Sequence, residues 1–171
     1  QSLSEVDSQP RAIASGRDGN LWFTRGSGNK VGRISPTSPY GDAHFVIPPP
    51  PGPPGPAASP RGITLGPDGN MWFTQAGRNQ IGRFTTGITP SFTNFQTTGS
   101  PRGITPGPDG NLWFTQPEYD RIARITPAGS ITEFDLPDEK SNPTEITSGP
   151  DGKIWFSETG GYLLGEDPGN R

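Results

Sequence analysis

One segment of this chain occurs four times. It reads PRAIASGRDGNLWFTR from Pro10, PRGITLGPDGNMWFTQ from Pro60, PRGITPGPDGNLWFTQ from Pro101 and PTEITSGPDGKIWFSE from Pro143. The Asp-Gly pairs fall at 18–19, 68–69, 109–110 and 151–152, so the first step is the longest and the next two are nearly equal. A period of about 42 residues with a Trp in every copy constrains the chain to a repeat architecture, and the unit such a period fits best is the four-stranded blade of a β-propeller. Repeats of this kind stabilise one another as neighbours.

The third copy shows how one blade is written. Gly103, Ile104 and Thr105 form a short strand near the axis. Pro108, Asp109 and Gly110 make a turn, because Pro presets φ and Asp-Gly tolerates a positive φ. The aromatic run Leu112, Trp113, Phe114, Thr115 is a second strand. Residues 121–126 alternate polar and apolar, as a half-buried third strand does, and 130–136 alternate again as an outer fourth. The third strand recurs at Lys30–Ile34 and Gln80–Phe84, with 162–166 as a degraded fourth copy; the outer strand recurs at 44–47 and 91–95. The fold expected is therefore all-β, a propeller of four-stranded antiparallel blades in one domain. Blade 1 covers 10–47, blade 2 60–100, blade 3 101–137 and blade 4 143–171. The fourth blade's outer strand is expected from residues 2–7, since SLSEVD before Pro10 resembles SITEFD before Pro143. Pairing the two ends of the chain would protect a sheet edge. Four blades close as a small ring, or two chains share an eight-bladed ring, or the chain belongs to a longer propeller. Assembly or missing blades is the expectation over a lone four-bladed ring.

Composition excludes several classes. Only 27% of the residues are hydrophobic, and 25 Gly and 22 Pro would by themselves suggest disorder, but the regular Trp-Phe strands argue against it. A net charge of −3 excludes a general binder of nucleic acid or anionic membrane. Without Cys there is neither a disulfide framework nor a thiolate metal site. No apolar run is long enough to span a membrane. A chain beginning at Gln1 reads equally as a mature secreted form or a fragment; an extracytoplasmic location is the expectation.

The string PRGITPGPDGNLWFTQ, with NQIGRF and RIARITP behind it, resembles the virginiamycin B lyase (streptogramin lyase) family over about residues 2–166. That family is related in pattern to NHL-repeat and gluconolactonase-like propellers. The resemblance implies seven-bladed enzymes that open a streptogramin B ring at its ester by elimination, with Mg²⁺, a histidine base and nearby carboxylates. In that pattern the histidines follow the blade-initial Pro, and a metal-binding glutamate ends the WFTE string. Here the first position holds Arg11, Arg61, Arg102 and Thr144, and the second Arg25, Gln75, Gln116 and Glu158. Only Glu158 matches. The one histidine, His44, falls on the expected outer strand of blade 1. Arginine stays protonated and cannot act as a base.

Arg11, Arg61 and Arg102 are the first candidates for function. If they cluster on one axial face they would grip a carboxylate or phosphate; the plainer expectation is that each pairs with a loop acid or stacks on a ring. Gln75 and Gln116 share that rim under the family alignment, either orienting a polar ligand or lying solvated in loops. Glu158, with Asp151, is a weak candidate for a hard cation. Arg33, Arg83 and Arg124 follow Asp18, Asp68 and Asp109 at one constant spacing, with Glu166 in the fourth copy, and are expected to form a structural Arg–Asp link. The four Trp are expected to pack between blades. The insertion 48–59 reads as polyproline II or an extended surface spacer, able to dock on an aromatic groove. The leading functional expectation is a non-catalytic binding or scaffolding module without a cofactor, whose partner is another protein, a second copy or a small acidic ligand. The alternatives are a Mg²⁺-dependent lyase on a cyclic depsipeptide and a structural subunit of a larger assembly.

Overall fold

The computed structural model describes residues 9–37, 43–53, 55–137 and 140–160. The expected strands at 2–7 and 162–166, and Glu166, lie outside the described residues. Blade 1 is β1 (Pro10–Ser15), β2 (Leu21–Arg25), β3 (Lys30–Ile34) and β4 (Ala43–Val46), and blade 2 is β5 (Pro60–Leu65), β6 (Met71–Gln75), β7 (Gln80–Phe84) and β8 (Phe92–Gln96). Blade 3 is β9 (Ile104–Pro106), β10 (Leu112–Gln116), β11 (Arg121–Ile125) and β12 (Ile131–Asp135); blade 4 shows β13 (Pro143–Ser148) and β14 (Ile154–Glu158). The first three sheets run in chain order with every pair antiparallel, and the fourth pairs β13 with β14. The innermost strands lie side by side in the order β1, β5, β9, β13. Among the described residues no helix is long and apolar enough to cross a membrane.

The recurring GPDGN string is a device for holding one Trp. Asp Oδ1 accepts the indole N–H of the Trp four residues on, at 3.1, 2.9, 3.1 and 3.1 Å for Trp22, Trp72, Trp113 and Trp155. The same oxygen caps the backbone N–H two residues after the Asp. The Gly after each Asp has φ between +74° and +78°, where a side chain would be strained. The Gly two residues before each Asp lies against the Trp ring, so a Cβ there would strike the indole.

Apolar burial lies between blades. One cluster joins Trp22 and Val31 of blade 1 to Ile63, Phe73 and Phe84 of blade 2, with Trp22 and Phe84 centroids 5.0 Å apart. A second joins Trp72 and Ile81 of blade 2 to Ile104, Phe114 and Ile125 of blade 3. Blades 1 and 2 therefore each offer a Trp-bearing face to the next one's Ile/Phe face. Arg83 lies 5.4 Å over Trp72 and 3.5 Å from Asp68, and Arg124 lies 5.8 Å over Trp113 and 3.5 Å from Asp109, which is the expected Arg–Asp link in two copies. In the first copy Arg33 lies over Trp22 and donates to the Gly87 carbonyl of blade 2 at 2.8 Å.

The proline-rich insertion is more than a spacer. Ala58 is fully buried, its N–H donates to Asn29 Oδ1 at 2.7 Å, and its carbonyl accepts from Gly77. Arg78 donates to the carbonyls of Pro48 and Pro56, both at 3.0 Å. These bonds tie the loop across the seam between blades 1 and 2.

Candidate functional site

The axial end of each blade is built by the Thr of the WFT string. In blades 1 to 3 its hydroxyl accepts the N–H of the residue after the blade-initial arginine: Ala12 to Thr24 at 3.2 Å, Gly62 to Thr74 at 2.9 Å and Gly103 to Thr115 at 2.9 Å. The same hydroxyl then donates to the following blade. Thr24 donates to the Arg61 carbonyl, Thr74 to the Arg102 carbonyl at 2.7 Å and Thr115 to the Thr144 carbonyl at 2.8 Å. Strand register shifts at this point, between Pro10 and Ile13, Pro60 and Ile63, and Pro143 and Ile146. Such a bulge turns a side chain out of the sheet plane. Gly62 and Gly103 permit the approach, since a Cβ on either would strike the next blade's backbone. The hydroxyl relay ties the backbone at Arg61 and Arg102 to the preceding blade, and the bulge lies beside Arg11 and Arg61.

The result brings Arg11, Arg61 and Arg102 together. They line one cleft of about 190 Å³ with Ala12, Gly62 and Glu145. A smaller depression of about 130 Å³ adjoins it, lined by Arg61, Ser100, Arg102, Pro117 and Glu118. Burial, then the charges of Arg102 and Arg11, pull the Arg61 pKa below its usual value. Among the described residues no carboxylate lies within salt-bridge distance of Arg61 or Arg102, so the expected loop-acid pairing is not what holds them. Arg11 is exposed and donates to Gln9 Oε1 at 3.3 Å. A larger hollow of about 390 Å³ lies under the proline-rich loop, but its one charged group, Arg78, is already engaged by proline carbonyls.

The other candidates fall elsewhere. Gln75 and Gln116 are not solvated: both are fully buried, donating to Asn94 Oδ1 at 2.6 Å and to Glu133 Oε1 at 3.1 Å. They fasten β6 and β10 to the outer strands β8 and β12 of their own blades. Burial raises the Glu133 pKa, but bonds from Thr98 and Gln116 and the charge of Arg121 outweigh it and hold the carboxyl below its usual range. Glu158 ends β14, while Asp151 sits in the turn before that strand and is bound to Trp155 and Lys153. Opposite ends of a five-residue strand lie more than about 12 Å apart, too far to share one ion. His44 lies on β4, the outermost strand of blade 1, against the ring of Phe23. Glu145 is the cleft residue that sequence reading missed. Its signal was present, as the acid that replaces the Ala or Gly following each blade-initial arginine.

The Mg²⁺ that the resemblance implies does not fit this donor set. The axial positions carry three guanidinium groups, Gln75 and Gln116 do not line the main cleft, and Glu145 is the one carboxylate that does. Hard cations need several oxygen ligands.

No curated protein sequence matches the chain. Among solved structures it is similar to a streptogramin B lyase, at 35% identity with a TM-score of 0.81, covering 92% of this chain and 51% of that one. It is equally similar to virginiamycin B lyase from Staphylococcus aureus, at 36% identity and a TM-score of 0.80 over 91% of this chain and 51% of that one. A catalytically inactive form of the S. aureus enzyme with quinupristin matches at 36% identity, a TM-score of 0.80 and the same 51% of its length. The chain thus spans about half the length of these structures. A putative gluconolactonase shares the fold at 16% identity, with a TM-score of 0.69 over 90% of this chain and 59% of that one. The model of the virginiamycin B lyase family matches residues 1–166, and the chain belongs to that family.

Proposed function

We propose that this chain is a binding module of its family whose axial cleft takes a small acidic ligand, carrying a carboxylate or phosphate, and does not catalyse ring opening. The observation that carries the reading is the convergence of Arg11, Arg61 and Arg102 on one cleft, with Arg61 and Arg102 free of carboxylate partners among the described residues. Like charges held together raise the energy of the unliganded state, and an anion relieves it through charge-assisted, bidentate hydrogen bonds. Elimination needs a base within hydrogen-bond reach of the proton it takes. Arginine cannot serve, and His44 lies outside the cleft lining.

Two assays test the reading. Citrate and inorganic phosphate are titrated into the protein by calorimetry, with Arg61→Gln as the control; saturable heat that the substitution removes supports it. Separately, quinupristin is incubated with the chain and Mg²⁺ and resolved by chromatography, because the linear elimination product keeps the mass of the ring. Conversion to the linear product contradicts the non-catalytic part of the reading.

A further inference from the structure

The smaller depression beside the arginine cleft is built from blades 2 and 3 alone. It measures about 130 Å³ and is lined by Arg61, Ser100, Arg102, Pro117 and Glu118. Two guanidinium groups and one carboxylate thus border the same hollow. Among the described residues no hydrogen bond or ion pair engages the Glu118 carboxylate or the guanidinium groups of Arg61 and Arg102. The rim that carries Glu118 is fixed. Glu118 lies in the 3-10 turn Pro117–Tyr119, which closes with the Asp120 N–H on the Pro117 carbonyl at 3.3 Å. The Asp120 carboxylate accepts the N–H groups of Lys140 and Asn142 at 2.9 and 2.7 Å. Tyr119 packs on Gly99, where a Cβ would strike its ring, and the Gly99 carbonyl accepts the Thr97 hydroxyl at 2.6 Å. Ser100 and Glu118 are therefore held on the same border. The other copies place Ser27, Gly77 and Gly160 where blade 3 has Glu118. In blade 2 that place is covered, since the Gly77 N–H donates to the Ala58 carbonyl of the proline-rich insertion at 3.1 Å. The turn needs no acid, so the fold does not account for Glu118.

We infer that this depression takes a small zwitterion of amino-acid type, its carboxylate on Arg61 and Arg102 and its ammonium group on Glu118. The inference rests on the anion reading of the arginines and adds a second charge to the ligand. Opposite charges that border one hollow without forming an ion pair are both satisfied by a molecule carrying the complementary pair, through charge-assisted hydrogen bonds. A plain anion satisfies the arginines but meets Glu118 as a like charge. Selectivity therefore comes from repulsion of the wrong ligand as well as attraction of the right one. The Ser100 hydroxyl offers a further polar contact, and the Pro117 ring an apolar wall for the carbon chain between the two charges.

Calorimetry tests it by comparing alanine with propionate and 4-aminobutyrate with butyrate, pairs that differ by the ammonium group alone. The wild type is expected to bind at least one amino acid about fivefold more tightly than its amine-free partner, the upper range for an exposed charge pair. Glu118→Gln should erase that preference and Glu118→Lys should reverse it, with citrate still bound by both variants. Glu118 is exposed and unbonded, so the melting temperature should stay unchanged in both. Equal affinities within both pairs overturn the inference, and so does a preference that survives Glu118→Gln. If citrate binds the wild type and is lost in Arg61→Gln, the anion reading stands in either case. A wild type that binds neither citrate nor any of the four probes removes both readings.

Discussion

The two ends of each blade follow different rules. At the turn end, all four copies keep Asp, Gly and Trp and make the same Asp–indole bond, always between 2.9 and 3.1 Å. At the axial end the backbone relay repeats, but the side chains it presents differ: Arg11, Arg61, Arg102 and then Thr144. The turn end gives each Asp two partners, the indole N–H and the backbone N–H two residues on. The axial end gathers like charges that burial and mutual repulsion disfavour. Structure is maintained where partners are complete, and capacity for a ligand resides where they are not.

The sharpest way to break this contrast is Asp68→Ala. It leaves the indole N–H of the fully buried Trp72 without its acceptor and removes the cap on Asn70. An unsatisfied buried donor costs about 1–3 kcal/mol. Urea denaturation should show that loss, with citrate binding intact in the folded fraction. Thr74→Val sits on the boundary between the two ends. It removes a hydroxyl that both receives from Gly62 and donates to Arg102, so it should destabilise by about 1–3 kcal/mol and also displace the arginines.

Arg102→Gln makes the opposite prediction: stability unchanged or slightly raised, and citrate affinity reduced about tenfold, since a hydrogen bond between charged groups is worth about 1.5–3 kcal/mol. Added salt should weaken the wild-type affinity in the same direction. Tm measured with and without citrate separates the two effects.

Acid should act on the turn end. Burial raises the Asp68 pKa, but bonds from Asn70 and Trp72 and the charge of Arg83 outweigh it and leave it below 3.8. Asp18 and Asp109 are held down by the same bonds. A carboxyl whose folded pKa is depressed contributes stability above its unfolded pKa and loses it as pH falls through the folded value. Tm should therefore hold steady above about pH 5 and decline below 3.8, less steeply in Asp68→Asn. The smallest effect is expected for Asp151→Ala, because Trp155 is exposed and water replaces the lost acceptor.

Much of the blade was legible because its signals are local. Lys30–Ile34 and Gln80–Phe84 occur as strands at the expected bounds, and the other expected strands within the described residues shift slightly at their ends. The convergence of the three arginines was legible too, since equal positions in a repeat lie at equal places around the axis. The fate of Gln75 and Gln116 was not. A glutamine at a strand end reads as polar and exposed, and only a partner 19 or 17 residues away, on the outer strand, makes burial tolerable. The Thr relay escaped for the same reason: its second bond crosses to another blade, and a Thr in an aromatic strand carries no local mark of it. The anchoring of the proline-rich loop by Arg78 likewise depends on bonds to residues 22 and 30 positions away.

The most direct test of the central claim is calorimetric titration of citrate into the wild type and into Arg61→Gln at low ionic strength. The account predicts saturable binding by the wild type that Arg61→Gln loses while retaining the same melting temperature or a higher one. Equal binding by both proteins, or none by the wild type, would contradict it.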